Sequence, residues 1–175
     1  MQSLPFFGPP PTPNTNPGDL GVYFQPITGT RSNGAATGHL YQDNPATPGL
    51  TYTLTGWAGA EQNALLSDAV LAVEFLDGGG NEIPLSGTEL SILPTLFASN
   101  GQPFNYRQYT LSAIAPAGTV SVRARASMLG GVSNPAGGAQ GYVVDDFSLV
   151  VPEPGSFGLI SMVAAALFAR RRNAA

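Results

Sequence analysis

The chain has no cysteine and no lysine, and it has one histidine and one tryptophan in 175 residues. Without cysteine there is no disulfide, no thiolate nucleophile and no Cys-ligated zinc. The lone imidazole, His39, has no second histidine with which to share a metal ion and no thiol to activate. Without lysine, every basic side chain is Arg, and three of the seven are Arg170, Arg171 and Arg172 near the end. Residues 1–169 therefore carry four Arg against eleven carboxylates, a net charge of −7. A body this acidic repels a phosphate backbone, which argues against nucleic acid as a partner. A phosphate-binding P-loop, a Gly-x-Gly-x-x-Gly turn after a strand and a Gly-x-Ser-x-Gly elbow are also missing. So is any long amphipathic helical pattern in the body of the chain.

What the chain does have is turn chemistry: 22 Gly and 16 Pro, spaced between short alternating runs. In 51–58, Tyr52, Leu54 and Ala58 share one face, while Thr51, Thr53, Thr55 and Trp57 share the other. In the next run, Leu71, Val73 and Phe75 alternate with Val70, Ala72, Glu74 and Leu76. Asp77–Asn81 then reads as a turn into a strand over Glu82–Leu85. Tyr109, Leu111 and Ala113 alternate with Thr110, Ser112 and Ile114. Val120, Val122, Ala124 and Ala126 point in, with Ser121, Arg123 and Arg125 out, and Gly141–Val150 forms the last strand. Short strands with regular punctuation predict an all-β fold, an antiparallel β-sandwich. The chain divides into a Pro-rich extended leader (1–18), the sandwich (19–150) and a tail (151–175).

The tail is the most specific stretch. From Gly155 to Ala169 there are fifteen residues without a charge. As a helix they would span roughly 22 Å, short against a hydrocarbon core of about 30 Å, although the Arg side chains that follow can snorkel and extend it. The alternative is a C-terminal core helix. Against that stand a run that is apolar nearly all round and an abrupt stop at three Arg, as the positive-inside rule requires of a cytoplasmic end. Val151-Pro152-Glu153-Pro154, a short apolar helix and an Arg cluster, in that order at the extreme C-terminus, resemble the PEP-CTERM sorting tail of Gram-negative bacteria. The resemblance implies recognition by an exosortase through Pro152, Glu153, Pro154 and the cluster Arg170, Arg171 and Arg172. It also implies transient anchoring in the inner membrane through the C-terminal helix, removal of the tail, and an exported product at the cell surface or in the exopolysaccharide matrix. The prolines suit such a role, because they keep Glu153 extended and readable. Export needs a leader with a basic and an apolar region, and MQSLPFFGPPPTPNTNPGD is neither. The expectation is that the start is shortened, with a signal peptide upstream.

The body carries a second resemblance. Pro48-Gly-Leu-Thr-Tyr-Thr-Leu-Thr-Gly56, Val73-Glu-Phe-Leu-Asp77 with its Gly-rich turn, Ala115-Pro-Ala-Gly-Thr119, Val120-Ser-Val-Arg123 and Val144-Asp-Asp-Phe-Ser-Leu149 resemble, in that order, the strands of galactose-binding-like jelly rolls, the fold of many carbohydrate-binding modules. It covers roughly residues 38–150 and implies a jelly roll, with carbohydrate as ligand in many members. The aromatic residues that could stack on a sugar ring are Trp57, Tyr41, Tyr106 and Tyr109, with Arg107 and Asn105 as polar partners; Trp57 is equally readable as core. Alternation puts Asp145 on one face with Val143, Phe147 and Leu149, facing inward, where a carboxylate must be paired or metal-bound. The resemblance implies that Asp145 or Asp146 helps hold a structural Ca²⁺; a carboxylate satisfied by Arg or by backbone N–H groups is the alternative. Glu61, Glu74, Glu82 and Glu89 are the carboxylates from which a glycosidase pair would have to come. These readings point to a non-catalytic surface or matrix protein associated with exopolysaccharide. The alternatives are a structural or adhesive protein without sugar binding and a small glycan hydrolase.

Overall fold

The computed structural model describes residues 2–3, 21–26, 34–136 and 140–151. Among the described residues nine strands run in order: β1 (Gln2–Ser3), β2 (Val22–Phe24), β3 (Ala36–Pro45), β4 (Thr51–Ala60), β5 (Asp68–Leu76), β6 (Thr88–Ser91), β7 (Arg107–Ile114), β8 (Ser121–Gly131) and β9 (Tyr142–Val150). A one-turn helix, α1 (Leu93–Leu96), and a 3-10 turn at Pro103–Asn105 lie between β6 and β7. The strands form two antiparallel sheets. Sheet A has the order β1-β2-β9-β4-β7, and sheet B has the order β3-β8-β5-β6. From β2 onward the chain changes sheet at every step except the β5–β6 hairpin. That winding is a jelly roll, as the resemblance implies.

Alternation sets the layers. Tyr52, Leu54 and Ala58 of β4 and Leu71, Val73 and Phe75 of β5 turn inward and are buried, joined by Leu111 of β7 and Val122 and Ala126 of β8. Each large apolar side chain taken from water contributes about 1.5–3 kcal/mol. Strand β5 is buried on both faces, because Val70, Ala72, Glu74 and Leu76 on its outer side are also covered. Helix α1 closes one end of the core. Leu96 is fully buried, and Pro94 sits in the first turn, where its missing N–H leaves no bond unmade.

Three local expectations are corrected. Val120 is 55% exposed and precedes β8, because its backbone N–H is spent on the carbonyl of Leu76 at the strand entry. Glu82–Leu85 forms one bridge, Leu76 to Glu82, and no strand; Pro84 lacks the N–H for a ladder, and Leu85 is fully exposed at φ 58°. The third correction lies in β9. Its pairing with β4 slips between Thr55 and Trp57, with Asp146 at φ 48°, the mark of a β-bulge. The extra residue reverses the parity. Asp145 pairs with Trp57 and faces outward with it, while Phe147 turns in over Gly56. A Cβ at position 56 would sit 2.5 Å from the Phe147 ring, so glycine there lets the ring lie against the strand, and a larger residue would have to displace it.

Candidate functional site

The outer face of sheet B is a continuous polar platform. Register places His39, Tyr41 and Asp43 of β3 opposite Ser127, Arg125 and Arg123 of β8. On the far side of β8, Arg123 lies opposite Glu74 of β5, and Ser127 lies opposite Val70; Ala72 of β5 pairs in turn with Glu89 of β6. Strands far apart in sequence therefore align the odd members of β3, β6 and β8 and the even members of β5 on one surface.

The side chains there are wired together. Arg123 grips Asp43 with two bonds, Nε to Oδ1 at 2.7 Å and Nη2 to Oδ2 at 2.8 Å. Its Cζ also lies 4.2 Å from the Tyr41 ring centroid, a cation–π contact. Arg125 donates from Nε to Glu74 Oε1 at 2.7 Å, from Nη1 to Ser127 Oγ at 2.6 Å, and from Nη2 to Glu89. Ser127 Oγ lies 2.8 Å from His39 Nδ1. At the edge, Ser91 Oγ donates to Asp68 at 2.7 Å. The Arg123 bond holds the Asp43 carboxyl below the usual carboxylate range, and Asp43 raises Arg123 in return. Burial pulls Arg125 down, but its bonds and charge contacts with Glu74 and Glu89 outweigh burial and leave it above the ordinary guanidinium value. Above this network the Tyr41 ring is 57% exposed.

The outer face of sheet A differs. Thr51, Thr53 and Thr55 of β4 align with Ile114, Ser112 and Thr110 of β7, and Thr53 Oγ1 meets Ser112 Oγ at 2.8 Å. Trp57 is half-buried on this face, beside Asp145. Tyr106 is buried over Gly59 of the same strand. Its hydroxyl is pushed up by burial and then by the charges of Asp145 and Asp146.

The expected sugar contacts thus fall in different places. Tyr41 lies on sheet B, and Trp57 and Tyr106 lie on sheet A. Arg107 sits opposite Ala58 and donates to the carbonyl of Ala98. Tyr109 faces inward, with its hydroxyl 3.0 Å from Thr95 Oγ1. Asp145 and Asp146 bring two carboxylates together, against the six to eight oxygens of a calcium site. Among the described residues no group of three or more His, Cys, Asp or Glu gathers. Sequence reasoning did not join His39, Asp43, Glu74, Glu89, Arg125 and Ser127 into a site. The signal was the Arg-x-Arg alternation of β8 beside the carboxylates of β5 and β6. Between the sheets along β3 a cavity of about 310 Å³ opens, with Leu40, Gln42, Asn44, Leu54, Phe147 and Leu149 in its lining.

Among solved structures, the enzymatically active domain of tailspike protein 4 from bacteriophage CBA120 is 14% identical over 81% of this chain and 16% of its own, with a TM-score of 0.53. The chain therefore spans about a sixth of that protein, and the likeness is one of fold. A CBM4 structure (14% identity, 65% of this chain and 60% of that one) and a CBM61 module in complex with β-1,4-galactotriose (16% identity, 79% and 73%) each give a TM-score of 0.42. No curated protein matches the chain significantly in sequence. Pro152, Glu153, Pro154, Arg170, Arg171, Arg172 and the expected apolar helix lie outside the described residues, and among those described no helix is long and apolar enough to cross a membrane. At the C-terminus, residues 150–172 match the PEP-CTERM protein-sorting motif, so the β-sandwich is joined at the end of β9 to a sorting signal.

Proposed function

We propose that the protein is a non-catalytic surface or matrix protein, sorted through its C-terminal motif, that holds polysaccharide on the outer face of sheet B. The observation that carries this reading is the Tyr41 ring, exposed on a platform whose polar side chains are already fixed by ion pairs and hydrogen bonds. A sugar offers a C–H face to an aromatic ring and hydroxyls to groups beside it. A preorganised platform loses little side-chain freedom on binding. The sorting motif supports a place where polysaccharide is met: processing by an exosortase would release the sandwich from its tail at the cell surface. Glu74 and Glu89 are the carboxylates nearest to a hydrolytic pair on this face, and both are committed to the same guanidinium, which favours binding over hydrolysis.

One observation favours a second reading, a structural or adhesive protein. On sheet A, Ile114 and Val150 are exposed at 66% and 48% beside the threonine ladder, a patch of apolar and hydroxyl side chains suited to protein contact. Polysaccharide pull-down separates the two. Binding that disappears in Tyr41→Ala and persists in Ile114→Ser supports the first reading, and no binding across a broad panel removes it. For sorting, a mature chain shortened at its C-terminus in cells with an exosortase, and full-length in cells without one, is the expected result.

A further inference from the structure

We infer that the sheet B face is selective for uncharged polysaccharide and rejects uronate- or sulfate-bearing chains; this rests on the polysaccharide reading above. Arginine recognises an anion with a free guanidinium fork. Here each guanidinium is already held by a carboxylate of the fold. Arg123 is closed bidentately by Asp43, and Arg125 has Nε, Nη1 and Nη2 each engaged by Glu74, Ser127 or Glu89. At the Nε–Nη2 edge of Arg123, and at Arg125, a ligand carboxylate or sulfate would first have to expel a carboxylate held in place by the fold.

The charge balance of the face adds to this. Asp43, Asp68, Glu74 and Glu89 stand against Arg123 and Arg125, a net of −2 on one surface. The exposed charged groups are acceptors, because Glu89 is 63% and Asp43 39% exposed at the side chain. Carboxylate oxygens suit ligands that donate, and sugar hydroxyls do.

His39 supplies a complementary donor. Ser127 is fully buried, and its oxygen already accepts a bond from Arg125. The single hydroxyl proton needs an acceptor of its own, and His39 Nδ1 lies 2.8 Å away. With Ser127 as the donor, Nδ1 is the bare nitrogen and the ring proton sits on Nε2, two bonds across the ring. The face therefore offers an N–H to a ring or hydroxyl oxygen, acceptors for hydroxyl protons, and the Tyr41 ring for stacking. This is a neutral-sugar set in which each arginine is already paired with a carboxylate.

The test uses the full chain in affinity electrophoresis with two uronate polymers, polygalacturonate and alginate, each before and after carboxyl reduction, alongside neutral glucan, mannan, xylan and galactan. Retention by at least one neutral polymer, with any reduced polymer that binds held at least tenfold more tightly than its acid form, is the expected result. Tighter retention by either acid form would overturn the charge selectivity while leaving the binding face standing. Retention by none of the polymers would overturn the polysaccharide reading as well. Asp43→Asn opens the Arg123 fork and is expected to raise retention by the acid polymers severalfold, with its melting curve confirming the fold. Unchanged retention in that variant would refute the role given to the closed forks.

Discussion

The two outer faces of the sandwich are built by the same alternation and end with different chemistry. Sheet A presents hydroxyls from Thr51, Thr53, Thr55, Thr110 and Ser112, with Trp57 half-sunk at one end. Sheet B presents four carboxylates, two guanidinium groups, an imidazole and an exposed phenol ring. A hydroxyl face needs nothing from its neighbours, since water satisfies each group. A charged face with a buried member does: Glu74 is only 7% exposed, and Arg125 is what allows it to stay there. The difference shows which face is rigid by necessity. On sheet B, removing one side chain strands another.

The sharpest way to break this comparison is Arg125→Ala. It leaves Glu74 buried without its cation and is expected to cost about 3 kcal/mol in urea unfolding, in the range for broken buried pairs. Thr53→Ala on the other face should stay within about 0.5 kcal/mol, and equal losses in both would dissolve the distinction. Next in size is ligand binding. Tyr41→Ala is expected to lower polysaccharide affinity by about thirtyfold, roughly 2 kcal/mol, while its lost contact with Arg123 costs no more than about 1 kcal/mol of stability, whereas Trp57→Ala leaves affinity within about twofold. The reverse pattern, read by calorimetric titration, would move the site to sheet A.

Acid titration gives a smaller effect. The folded carboxyl of Asp43 is held below its unfolded value of about 3.9, so its contribution is complete above that pH and is lost as pH falls through the lower folded value. The stability gap between wild type and Asp43→Asn should therefore shrink with acidification in that window and close below it. A gap that widens there would contradict the assigned pairing. Smallest is Ser112→Ala, which removes the partner of Thr53 on an exposed surface and should shift melting by a degree or two at most.

The fold was legible where strands alternate strongly. Strands β4, β5, β7, most of β8 and β9 follow the pattern of Tyr52, Leu71, Leu111, Val122 and Val144. Strand β3 was not read as a strand, because Gln42 and Asn44 face the open gap between the sheets and break the apolar period. Losing β3 hid the site: with it went the register that sets Tyr41 against Arg125 and Asp43 against Arg123. The facing of Asp145 was misjudged for a related reason. A bulge is one residue of extra backbone, and nothing in Val144-Asp-Asp-Phe-Ser-Leu149 announces it apart from Gly56 across the ladder.

The bulged strand has a mechanical consequence. β9 lies inside sheet A, paired with β4 from Thr53 to Ala60 and with β2 at Tyr142–Val144, and the sorting signal begins where it ends. Tension drawn along the strand axis from Val150 is carried by the whole β4 ladder in shear, so many bonds must yield together, where peeling would break them one at a time. A domain tethered by this end is gripped at one of the best-braced strands it has.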